Sequence, residues 1–129
     1  MAPFFFIPKP DQTGHRPCQD YCYLNSHTIK NNYPLPLISE LVDKLRGSKV
    51  FTKLDLCWGY NNMRIKEEDR WKVAFKTNYS SYEPTVMFFG LTNSPTTVQN
   101  MMNNLLGDMD GVVVYMDDIC IHAKTLEEN

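Results

Sequence analysis

Residues 112–121 read Val-Val-Val-Tyr-Met-Asp-Asp-Ile-Cys-Ile, two apolar runs around a short acidic break. No other stretch constrains the fold as strongly. Two such runs so close together predict a β-hairpin with a tight turn. The turn carries Asp117 and Asp118 side by side. Adjacent carboxylates raise each other's pKa unless a counterion intervenes. A divalent cation removes that conflict and prefers hard oxygen ligands. A solvated turn is the plain alternative, because aspartate favours turns in any case.

A third carboxylate, Asp55, closes the predicted strand Val50 to Leu56. If that strand lies beside the hairpin, three carboxylates converge. Such a set suits two Mg2+ ions about 3.5–4 Å apart, the arrangement used in phosphoryl transfer. Other elements follow from periodicity and punctuation. Residues 4–7 predict a short strand, followed by a loop from Pro8 to Pro17 that contains Asp11 and Gly14. Residues 18–33 show little periodicity. Leu37, Ile38, Leu41, Val42 and Leu45 predict a helix that Pro34-Leu35-Pro36 could open and Gly47 stops. Asn62–Lys66 and Lys72–Thr77 read as strands joined by a charged turn, Glu67 to Arg70. Ser94 as cap and Pro95 in the first turn open a second helix. Its apolar face is Val98, Met101, Met102, Leu105 and Leu106, and Gly107 ends it.

At 129 residues the chain has room for one domain at most. A hydrophobic content of 43% supports a packed core and excludes wholesale disorder. No apolar run is long enough to span a membrane. Four cysteines without a disulfide rhythm favour a reduced, intracellular setting. Cys18, Cys22 and His27 lack the spacing and the fourth ligand of a zinc site. Charge is uneven: residues 44–76 hold nine basic and four acidic side chains, residues 80–129 one basic and seven acidic. The first region could attract a polyanion and the second could hold cations.

Several stretches in order carry a resemblance. They are Phe5 to Asp11, Arg16-x-Cys18-x-Asp20-Tyr21-x-x-Leu24-Asn25, Thr28 to Pro36, Phe51 to Leu56, Phe89-Gly90-Leu91-Thr92-Asn93, Tyr115-Met116-Asp117-Asp118 and Lys124 to Glu128. Together they resemble the reverse transcriptase domain of gypsy-type LTR retrotransposons. The resemblance implies an α+β fold: partial fingers and palm of a right-hand polymerase, with an antiparallel palm sheet packed against helices. Residues 1–129 would be a fragment of that domain. Fingers elements at about 1–48 and 62–90 would interleave with palm elements at about 49–61 and 91–129.

The implied activity is RNA-directed DNA polymerisation, nucleotidyl transfer from dNTP to a primer 3'-hydroxyl. Asp55, Asp117 and Asp118 would bind two Mg2+ ions, with Mn2+ possible, and serve catalysis. Arg16, Trp58, Gly59, Tyr60, Phe89 and Gly90 would bind the nucleotide. Within that set, backbone amides at Trp58 and Gly59 would face the triphosphate and the Tyr60 ring would lie under the sugar. Gln99 would approach the template side, and Lys53, Arg64 and Lys72 are candidate contacts to the nucleic-acid backbone. Partners would be an RNA or DNA template with primer, with no membrane. Primer grip, thumb and RNase H would come from the same polyprotein. Cys22, Trp58, Pro84 and Phe88 depart from the family pattern. These departures support the alternative expectation of an inactive remnant with at most weak nucleic-acid or metal binding.

Overall fold

The computed structural model describes residues 1–10 and 13–128. Asp11, placed by its sequence in the loop after the first strand, lies outside the described residues. The chain divides into two units, Met1–Lys30 with Tyr60–Ser94 and Asn31–Gly59 with Pro95–Asn129.

The first unit is organised on β1 (Ala2–Pro8), the aromatic run at the amino end. β2 (His15–Gln19) pairs antiparallel with it, Phe6 opposite Pro17 and Ile7 opposite Arg16. On its other side β1 pairs parallel with β4 (Phe75–Lys76), which pairs with β5 (Ser81–Tyr82), giving the order β2-β1-β4-β5. Phe75 stacks on Phe4 and Tyr82 at 5.5 and 5.6 Å between ring centroids. Helix α1 (Cys22–His27) follows β2. Its Asn25 clamps a distant loop: Nδ2 donates to Gly90 O at 2.7 Å, and Oδ1 accepts the Thr92 N–H at 2.9 Å.

Two expectations change here. Residues 15–17 form part of a strand rather than a loop. Pro17 hides it from a propensity reading, yet β2 lies at a sheet edge, where a missing donor is tolerated. Residues 62–66 and 72–77 do not form two full strands. Arg64 makes an isolated bridge to Val86, and Glu67–Val73 is a 3-10 helix. Its first turn is acidic and its last is basic, which suits the helix dipole. The pairs Arg70–Glu67 and Lys72–Asp69 link the two ends.

The second unit holds α2 (Ile38–Leu45), β3 (Val50–Asp55), most of α3 (Ser94–Leu106), β6 (Val112–Tyr115) and β7 (Asp118–Ala123). β7 is central, with antiparallel neighbours on both sides, in the order β3-β7-β6. α3 buries Val98 and Met102, and β6 buries Val113 and Val114. Leu105, expected on the buried face, is exposed. Ser94 is the first residue of α3, and its hydroxyl donates to Phe88 O at 3.2 Å. The expected helix α2 is formed, but none of its residues is buried, Leu37 precedes it, and Leu37, Ile38 and Val42 are exposed. The fold is thus α+β, a β-sheet packed against helices. Among the described residues no helix is long and apolar enough to cross a membrane.

One titration reports on the first unit. Tyr21 is buried, its hydroxyl donates to Val73 O at 2.9 Å, and burial pushes its pKa up to about 12. The folded chain therefore keeps a proton that the unfolded chain releases near pH 10. This contribution is complete below about pH 10 and is lost as pH rises through about 12. Urea unfolding across that window should cost wild type about 2 kcal/mol more than it costs Tyr21→Phe. Equal losses in both chains would refute the assignment.

Candidate active site

The acidic end of the second unit's sheet is fixed by strand register. β3 and β7 pair so that Asp55 stands opposite Asp118. Lys53 stands opposite Cys120 two positions away. Alternation along each strand therefore places Lys53, Asp55, Asp118 and Cys120 on one face. Two carboxylates directly opposite repel each other. The Lys53 ammonium answers that repulsion: Nζ lies 2.9 Å from Asp118 Oδ1. The hydrogen bond to Asp118 raises the lysine pKa, and the charges of Asp118, Asp55 and Asp117 add to it. All three carboxylates thus act on a single cation supplied by the chain.

Asp117 sits in the hairpin turn, half-buried. Tyr115 pairs with Asp118, so the turn is the two residues Met116-Asp117. Met116 adopts φ 55, where glycine is usual in such a turn. A side chain in the left-handed region costs about 1–2 kcal/mol. Trp58 is strained in the same way, at φ 58, and is 71% exposed. The Leu56 N–H donates to Asp117 O at 2.9 Å, tying the end of β3 to the turn. Gly59 then passes against Asp117. A Cβ on Gly59 would come within 2.8 Å of the Asp117 Cβ. Its N–H donates to Leu56 O at 3.1 Å, within its own turn.

The remaining predicted residues lie in the first unit. Tyr60 is buried with its ring 4.6 Å from Phe89, which is exposed. Gly90 adopts φ 128 and gives its carbonyl to Asn25. Arg16 is exposed on edge strand β2. Register therefore joins Asp55 to Asp118, close approach joins Gly59 to Asp117, and ring contact joins Tyr60 to Phe89. Lys53, expected as a backbone contact, is engaged with Asp118. Gln99, expected near a template, is fully buried.

The fit of this end to a metal centre is limited. Carboxylate oxygens are the right donors for a hard cation. Among the described residues, however, no three His, Cys, Asp or Glu side chains are grouped so as to hold a metal ion. The geometry is a carboxylate pair with an ammonium and a neighbouring turn aspartate. Among the described residues a two-ion ligand set is not assembled.

Residues 7–129 match the family described as reverse transcriptase (RNA-dependent DNA polymerase). The Tf2-3 and Tf2-7 transposon polyproteins of Schizosaccharomyces pombe are 41% and 40% identical over 130 residues, covering 99% of this chain. The chain spans 10% of the length of those relatives. A foamy viral protease-reverse transcriptase bound to RNA/DNA hybrid superposes over 98% of this chain and 17% of its own. Its TM-score is 0.88 at 26% identity. The native prototype foamy virus enzyme gives 0.85 at 30% identity, with the same coverage of both chains.

Gly59→Ala tests the close approach at the turn. The added methyl should push Asp117 aside and lower stability by about 1–3 kcal/mol. Chemical denaturation measures the loss, and a chain as stable as wild type would contradict the contact.

Proposed function

The chain belongs to the reverse transcriptase family, in its gypsy-type retrotransposon branch, and from that premise we propose that this chain by itself is catalytically silent. It carries fingers and palm elements of a reverse transcriptase and retains at most weak binding of metal or nucleic acid. One observation carries this reading: the Lys53 ammonium occupies Asp118, and the three aspartates are not grouped as ligands. RNA-directed DNA polymerisation is then an activity of the longer polyprotein, whose other segments would supply primer grip, thumb and RNase H.

A second reading is nucleotidyl transfer by this chain itself. The register of Asp55 with Asp118 favours it, because it sets two family positions face to face. Under that reading Asp55, Asp117 and Asp118 hold Mg2+ or Mn2+. Arg16, Trp58, Gly59, Tyr60, Phe89 and Gly90 line the nucleotide, and a primed RNA or DNA template is the partner. The Gly59 amide bond to Leu56 weighs against a direct phosphate contact there.

Mg2+-dependent primer extension on an RNA template separates the two. The proposed outcome is no extension above that of Asp117→Asn. Robust extension that disappears in Asp117→Asn would overturn the first reading and support the second. Mn2+ titration supplies a further check. Lys53→Met frees Asp118 and should strengthen weak Mn2+ binding about two- to fivefold, the scale of an exposed ion pair. Asp55→Asn should weaken it.

A further inference from the structure

Gln99 has no exposed surface, although it carries a primary amide. A buried amide is costly unless its donors and acceptor find partners. Here each does. Nε2 donates to Asn103 Oδ1 at 2.9 Å and to Val114 O at 3.2 Å. Oε1 accepts the Met116 N–H at 2.7 Å. Two of these contacts lie on the hairpin, one at Val114 within β6 and one at Met116 in the turn. The third runs along α3 to Asn103, whose Nδ2 donates to the Tyr33 hydroxyl at 2.8 Å.

The turn contact falls on a residue that needs it. Met116 is held at φ 55, and such conformations persist only where their surroundings over-determine them. One amide therefore grips the turn from within the core, at both the carbonyl of Val114 and the N–H of Met116. An apolar side chain of the same length could fill the space but could not grip. We infer that Gln99 is a positioning residue for the acidic turn, and that the Tyr33–Asn103–Gln99 chain extends its hold to the segment before α2. The inference concerns how Asp117 and Asp118 are presented. It holds whether or not the isolated chain catalyses anything.

NMR of the unaltered chain tests the first link directly. A through-hydrogen-bond coupling should connect the Met116 amide nitrogen to the side-chain carbonyl carbon of Gln99. Its absence from a spectrum that shows the backbone couplings of β6 and β7 would overturn the inference. Variants then test the hold. In Gln99→Met the Met116 amide should exchange with solvent about tenfold faster, measured relative to the Val113 amide. Its proton resonance should also move upfield. If Gln99→Met does not fold, Asn103→Ala takes its place, since it removes one partner of the amide while leaving the apolar core intact. A Met116 amide that keeps wild-type shift and protection in the folded variant would overturn the inference. Loss of protection in equal measure at Met116 and Val113 would do the same, as it would mark general destabilisation. Tyr33→Phe should produce a smaller shift at Met116 with Val113 unchanged, and no shift would overturn the extension to Tyr33.

Discussion

The antiparallel pairing of β3 with β7 is the constraint on which the second unit depends. β7 is the only strand of its sheet with neighbours on both sides, among the described residues. Its register with β3 decides which side chains share a face. Slipping that register by one residue would send Asp55 and Lys53 to the opposite face. The hairpin on the other side sets Asp118 as the first residue of its strand and leaves Asp117 in the turn. The acidic end is therefore a product of backbone hydrogen bonding first and of charge second.

Charge then determines what that end does. The excess of basic residues at 44–76 and of acidic ones at 80–129 suggests two separate faces for two separate ligands. The structure joins a member of each group at one place: Lys53 and Asp118 are 2.9 Å apart. The ammonium relieves a repulsion that strand pairing creates. Any cation arriving from solution meets, at Asp118, a carboxylate that already has a partner.

Much of this was legible in the sequence wherever apolar spacing was regular. The hairpin, β3, α2 and α3 follow from patterns of two or of about 3.6 residues. β2 was not legible because Pro17 suppresses strand propensity, and only its position at a sheet edge makes it admissible. The 3-10 helix at Glu67–Val73 was missed because a charged stretch between apolar runs resembles a turn. The contacts of Lys53 and Gln99 were not legible for a different reason. Their roles depend on partners 65 and 17 positions away, and no local pattern encodes them. A polar residue beside Val98 and Met102 on a mostly apolar helix face was the one available hint of Gln99 burial.

The two sheets end differently, and this bears on how the chain associates with itself. The outer strand β2 contains Pro17, and the outer strand β3 carries Lys53, both features that discourage another strand from joining. β6 has neither. It is Val-Val-Val-Tyr at the far side of the same sheet, and among the described residues no strand lies beyond it. β5, the remaining outer strand, is only two residues long, so strand addition would be favoured at β6, and a charge introduced there should suppress it more than the same charge placed in β2 or β3.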